Sequence, residues 1–193
     1  MFKDLVCRNR SYRRFDQDHP VALELLRELV DLARLSASGA NMQPLKYIIS
    51  SDRDTNGLIF RNTLWAGYLE DWAGPSPGER PSSYIVILGD TEIKESFGCD
   101  HGIAAQSILL GATEKGLGGC IIGSIDMEGL RNDIDISDQY EILLILALGK
   151  PVETVEIEDV GPDGDIRYWR DEKDVHRVPK RSISELIVGE FGE

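Results

Sequence analysis

Ser38-Gly39-Ala40-Asn41-Met42-Gln43-Pro44 joins an amphipathic helical run directly to an apolar run over Leu45–Ser50, and this junction constrains the fold more than any other segment. Pro44 biases the residue before it toward extended geometry. Gly39 permits close backbone approach or a positive φ. Short polar side chains and backbone groups gather at one turn, which suits the presentation of hydrogen bonds to a flat, polar ligand. An ordinary helix–strand connection is the plainer reading of the same residues.

A second cluster stands out against the charge balance. The formal net charge is −13 at pH 7 over 193 residues, and this argues against a nucleic-acid-binding surface, which needs a basic footprint. Within that acidic chain, Arg8, Arg10, Arg13 and Arg14 crowd one short stretch. They suggest a local anion site, although a solvated basic edge is simpler. Cys7, Cys99 and Cys120 have no metal-ligand spacing and are odd in number, so neither a disulfide framework nor a metal site is expected. Each reads as a small buried hydrophobe. No apolar run approaches the roughly 18 residues of a membrane span, and Met1-Phe2-Lys3-Asp4 lacks a signal-peptide pattern. The expectation is a soluble, cytoplasmic protein. With 41% hydrophobic residues, no internal repeat and no linker, one domain over 1–193 is expected.

Along the chain, helices are expected over 2–8, from Pro20 to about Leu35, over 54–60, His101–Lys115, 127–133 and Ser182–Val188. The Trp65–Trp72 region reads as helix and loop, and Gly74-Pro75-Ser76-Pro77-Gly78 as a mobile breaker segment. Strands are expected at Leu45–Ser50, Ser83–Leu88, Cys120–Ile122 and Ile142–Leu148. The helix from His101 carries Gly102, Ala104, Ala105, Gly111 and Ala112, which cost it intrinsic stability and suit close packing on another helix. Beyond Pro151 the chain turns polar, and this extension is expected to wrap over something else.

Four segments carry chemistry. Arg10-Ser11-x-Arg13 offers guanidinium forks and a hydroxyl, a good set for a phosphate monoester. Ser38, Gly39, Asn41 and Gln43 offer neutral donors and acceptors for the edge of a heterocycle. Gly116-Leu117-Gly118-Gly119 offers backbone N–H groups with no side chain to block a planar ring, though such a piece is more often a helix stop. Lys180 and Arg181 lie at the entrance to the last helix, whose N-terminal amides also favour anions. No nucleophile elbow, phosphate-loop signature or dinucleotide fingerprint is present.

In order and spacing these segments resemble the nitroreductase family of FMN-dependent oxidoreductases. The residues that carry the resemblance are Asn9-Arg10-Ser11-Tyr12-Arg13-Arg14-Phe15, Ser38–Leu45, the small-residue helix running into Gly116-Leu117-Gly118-Gly119, and Gly149-Lys150-Pro151. Two positions depart from the pattern. Asn9 stands where the family often has its first arginine, and Leu45 replaces the usual Trp.

The resemblance implies an α+β layered fold, a mixed, mainly antiparallel sheet flanked by helices, in an intertwined homodimer. Residues from about 152 to 193 would wrap the partner subunit. It implies FMN as cofactor, with Arg10, Ser11, Arg13, Lys180 and Arg181 near phosphate and ribityl oxygens. Ser38, Gly39, Asn41, Gln43, Gly118 and Gly119 would meet the ring, and the Gly/Ala helix would form the dimer core. The implied activity takes hydride from NADH or NADPH and reduces a nitroaromatic, quinone or similar small acceptor by a ping-pong mechanism, with the chemistry carried by FMN. A flavin carrier or sensor with little turnover, and a flavin-fragmenting or reductively dehalogenating relative, are the alternatives. Trp65, Tyr68 and Trp72 are candidates for bordering the substrate, against a plainer role as a small satellite core.

Overall fold

The computed structural model describes residues 1–192. The chain opens with α1 (Phe2–Arg8), β1 (Phe15–Asp16) and α2 (Leu23–Arg34). On α2, Leu26, Leu29 and Ala33 recur at helical spacing and are buried, as an amphipathic helix on a core requires. A single 3-10 turn (Gly39–Asn41) leads into β2 (Leu45–Ser50) and then α3 (Arg53–Arg61), whose N-cap Asp52 accepts from the Thr55 amide at 2.8 Å. Next come β3 (Ser83–Asp90), α4 (Asp100–Glu114), β4 (Gly118–Ile122), α5 (Met127–Asp133) and β5 (Tyr140–Pro151).

Strands β1, β5, β3 and β2 are neighbours in that order, with β4 also on β5, and every pair is antiparallel. All eight residues of β3 are buried, because both faces of the sheet are covered. Ile85 and Ile87 enter one core with Leu26, Leu29 and Ile108, from α2 and α4. Tyr84, Val86 and Leu88 enter a second core with Ile59 of α3 and Leu130 of α5. The period-2 alternation of strand side chains thus builds a three-layer molecule.

Small residues of α4 serve this packing within the chain, against α2 and the sheet. Ala104, Ala105 and Ala112 are almost fully buried within the chain. A Cβ on Gly111 would come within 2.3 Å of Leu32 and 3.0 Å of Leu29, so α2 and α4 approach too closely for a larger residue. The cysteine expectation holds for Cys120 alone; Cys7 and Cys99 are exposed. The Trp65–Trp72 region forms turns and no helix.

Beyond Pro151 lies structure that the sequence reading did not anticipate. Strands β6 (Val155–Asp159), β7 (Trp169–Arg170) and β8 (His176–Lys180) form a small sheet in which β8 pairs parallel with β6 and antiparallel with β7. It docks on the chain's own N-terminal motif. Glu153 accepts from the Arg13 and Arg14 amides and pairs with Arg170 at 2.8 Å, and Asp174 binds both Arg14 and Arg170. After Lys180, the short α6 (Ile183–Leu186) and its flank expose Ile183, Leu186, Ile187, Val188 and Phe191. Among the described residues no helix is long and apolar enough to cross a membrane.

Candidate functional site

The N-terminal motif begins where α1 stops. The Arg10 Nη2 donates back to the Val6 carbonyl at 2.8 Å, and Tyr12 N donates to Gly119 O at 3.0 Å, which ties the motif to β4. Arg13 is consequently buried. Its Nη1 donates to Ser11 O at 3.2 Å and to His176 Nε2 at 3.1 Å, and its guanidinium lies 4.5 Å from the centre of the Tyr168 ring. Burial, then the charges of Arg13, Arg170 and Arg14, holds the His176 pKa down at about 4. A neutral imidazole that accepts at Nε2 carries its proton on Nδ1. That Nδ1, like Arg10 Nε, is buried without a hydrogen-bond partner.

Two adjoining cavities share Arg13, Ile121 and Tyr168 as lining. The first, of about 340 Å³, is bordered by Arg10, Arg13 and Lys180, with Asn9, Ser11 and Gln106 as neutral polar neighbours. No carboxylate lines it, in a chain whose net charge is −13. Three cations border this recess, and Arg10 Nε and His176 Nδ1 are donors without a partner, a set chemically complementary to an anion. The second cavity, of about 330 Å³, is bordered by Trp65, Ala66 and Gly67 on one side and Gly123 and Ser124 on another.

The Ser38–Gln43 turn is built around a different residue, Asp100 at the start of α4. Ser38 Oγ donates to Asp100 Oδ2 at 2.7 Å, the Gly39 amide to Oδ1 at 2.9 Å, and the Gln43 amide to Ser38 Oγ at 2.9 Å. Burial opposes ionisation of Asp100, yet those two donors with Lys94 and His101 hold its pKa below the usual carboxylate value. Ala40, Asn41 and Gln43 adopt φ of 50°, 55° and 50°. Non-glycine residues in that region are uncommon and costly, and they cluster at functional sites. Gly39, Asn41 and Gln43 are exposed.

Within one chain the structure therefore assembles Arg10, Ser11, Arg13 and Lys180, and keeps Ser38, Gly39, Asn41 and Gln43 apart from them. Ser38 and Gln43 line a separate small cavity with Tyr47 and Ala104. Arg181 lines neither cavity and pairs with Glu185. Gly118 and Gly119 are buried, contrary to the open backbone expected of them. A Cβ on Gly118 would fall 2.5 Å from Tyr12, and one on Gly119 2.5 Å from Leu109 and 2.8 Å from the Ala147 carbonyl. Their missing side chains make room for the chain itself.

Of the aromatics, Trp65 borders the second cavity and Tyr68 stacks on Tyr168 with ring centres 4.9 Å apart. Trp72 lines neither and packs beneath Arg14 and Arg170. Tyr168, His176, Ile121, Gly123 and Ser124 escaped the sequence reading. For Gly123 and Ser124 a signal was present, because a Gly-Ser pair directly follows the apolar run Cys120–Ile122. Cys120 offers no thiolate, since burial pushes its pKa up.

Comparison with known proteins fits this architecture. YodC of Bacillus subtilis, a candidate NAD(P)H nitroreductase, is 24% identical over 196 residues, covering 86% of this chain and 97% of that protein. The iodotyrosine deiodinase of Thermotoga neapolitana is 24% identical, covering 78% of this chain and 89% of its own length. A candidate nitroreductase from Exiguobacterium sibiricum, crystallised with FMN, superposes with a TM-score of 0.65 at 18% identity, covering 79% of this chain and 89% of that one. The sequence profile of the nitroreductase family matches residues 8–56 and 78–150, well over half the chain. Together with the antiparallel sheet and its flanking helices, that match makes this chain a member of the nitroreductase family.

Proposed function

We propose that the protein is an FMN-dependent oxidoreductase, and the observation that carries this reading is the carboxylate-free cavity of Arg10, Arg13 and Lys180. The residues fit the phosphate end of FMN. Guanidinium forks and an ammonium meet phosphate oxygens, and Arg10 Nε and His176 Nδ1 are donors that still need acceptors. The adjoining cavity, with Trp65 and the Gly123-Ser124 backbone, is where the flat ring fits. When bound, FMN supplies the acceptance of hydride from NADH or NADPH and its delivery, in a ping-pong sequence, to a nitroaromatic, quinone or similar small acceptor.

The chain's residues orient and electrostatically bias that chemistry. Arg13 places positive charge where the ring end meets the phosphate end. His176 stays neutral at physiological pH and holds the Arg13 guanidinium in position. The Ser38–Gln43 turn shares no cavity with these residues, and it serves the same kind of site reached across a homodimer interface. Gly102 and Gln106 on the uncovered side of α4, and the apolar side chains after Lys180, suit such a contact. Residues after Lys180 are then the part of the extension that crosses to the partner subunit.

The test is direct. Purified protein binds one FMN per chain and binds riboflavin at least tenfold more weakly, because riboflavin offers nothing to the three cations. Equal affinity overturns the phosphate assignment. NADH or NADPH then bleaches the flavin absorbance and a nitroaromatic restores it. A bound flavin without turnover marks a carrier instead. Likeness to the deiodinase favours a second reading, reductive dehalogenation, which requires release of iodide from iodotyrosine at a rate matching nitroaromatic reduction.

A further inference from the structure

The recess bordered by Arg10, Arg13 and Lys180 has one further lining residue whose side chain the fold leaves unused, Asn9. Asn9 is 8% exposed. Its side-chain amide forms no hydrogen bond among the described residues, and both polar atoms stay open to the recess instead of being sealed in the core. Only its backbone is committed. Helix α1 ends at Arg8, and the Asn9 N–H donates to the Leu5 carbonyl at 2.9 Å as the chain leaves the helix at φ −75° and ψ 96°. Buried amides are normally paired, so an unpaired one that faces a cavity is placed to meet something outside the chain.

No neighbour shares this position. Arg8 is exposed, lines neither cavity, and has its carbonyl bound by Tyr12 Oη at 3.2 Å. Ser11 and Gln106 line the recess but are exposed. Arg10 and Arg13 spend part of their donors on the chain itself, at Val6 O, Ser11 O and His176 Nε2.

An amide here does what a cation cannot. Arg10, Arg13 and Lys180 only donate, and they attract any anion. Asn9 presents a donor, Nδ2, and an acceptor, Oδ1, on one planar group. A phosphate ester whose carbon chain bears a hydroxyl meets both, because a phosphate oxygen accepts from Nδ2 and the hydroxyl donates to Oδ1. A bare anion leaves Oδ1 without a donor. We infer that Asn9 is a specificity-determining residue of the recess and selects a phosphate monoester of a polyol. This rests on the flavin reading, in which FMN is that monoester.

Titration of the full-length apoprotein with FMN and with riboflavin, followed by flavin fluorescence, tests the assignment without any turnover. Asn9→Asp keeps an acceptor but replaces the donor with negative charge. It weakens FMN at least tenfold and changes riboflavin less than threefold. Asn9→Leu, of similar size, removes donor and acceptor together. It weakens FMN at least tenfold and riboflavin at least threefold. The ligand-free Asn9→Leu variant melts at or above the temperature of the parent, since an apolar group replaces a buried unpaired amide. Failure of the parent to bind FMN overturns the flavin reading, and this inference with it. With FMN bound by the parent, three results overturn the role of Asn9 alone: FMN affinity unchanged in Asn9→Leu, FMN and riboflavin weakened equally by Asn9→Asp, or a melting temperature that falls in step with affinity. Riboflavin affinity unchanged in Asn9→Leu overturns the hydroxyl contact and with it the selection of a polyol ester.

Discussion

Two halves of α4 support two polar regions built on opposite plans. Near Asp100 the Ser38–Gln43 turn is exposed and strained, and a single carboxylate holds it in place. Further along, beside Gln106 and Leu109, Arg13 is buried beneath Tyr168 and His176 and closed over by the extension after Pro151. The first region leaves Gly39, Asn41 and Gln43 exposed to solvent. The second is part of the fold, because its guanidinium also organises the docking of the small β6–β8–β7 sheet. Mutations should therefore separate ligand binding from stability at the turn and join them at the arginine.

Arg13→Ala gives the largest effect. Removing charge-assisted hydrogen bonds costs about 1.5–3 kcal/mol of FMN affinity, read as a ten- to hundredfold weaker constant in a flavin fluorescence titration. It also strips His176 and Tyr168 of their partner, so the melting temperature falls with it. An unchanged melting temperature breaks the comparison, since Arg13 would then act on ligand alone.

His176 gives the next effect, through pH. Its pKa is about 4 in the folded chain, against an ordinary 6.5. Between those values the unfolded chain takes up a proton that the folded chain refuses, so stability falls as pH drops from about 6.5 toward 4. The loss is on the order of 3 kcal/mol. His176→Gln, whose side-chain oxygen reaches the position of Nε2 and still accepts from Arg13, flattens that slope in denaturant melts across the window. An unchanged slope assigns the acid sensitivity to other groups.

The sequence disclosed the sheet and the main helices because their signals are local. Ile85 and Ile87 sit in an unbroken apolar run, and Leu26, Leu29 and Ala33 repeat at helical spacing. Met127–Asp133 is helical as expected, with Asp126 as its N-cap accepting from the Gly129 amide. What the sequence concealed is set by distant partners. Strand β1 is two residues long and exists through its pairing with Lys150 and Pro151. The sheet after Pro151 looks polar and structureless because it is held by ion pairs such as Arg170–Glu153 rather than by an apolar stripe. Gly118 and Gly119 looked like an open backbone because a sequence cannot show that Tyr12 and Leu109 fill the space above them. The small residues of α4 signalled close packing correctly, but not that the partner is α2 of the same chain.

The smallest effect probes the other side of the comparison. Ala40 holds a φ of 50° and ψ of 21°, a conformation in which Cβ crowds the backbone and glycine does not. Ala40→Gly relieves that strain and stabilises the chain by about 0.5–1 kcal/mol, net of the added freedom of the unfolded state. The variant keeps Asp100 and its hydrogen bonds to Ser38 and Gly39, so the turn stays anchored at its base while its tip gains freedom. If the strained geometry presents Asn41 and Gln43 to a ligand, FMN affinity falls by a factor of two to five even as the melting temperature rises. Opposite movements of those two quantities are what the division between an exposed presenting turn and a recessed structural arginine requires. If both rise together, the strain is a by-product of joining a helix to a strand in a few residues, and the turn loses its claim to a ligand.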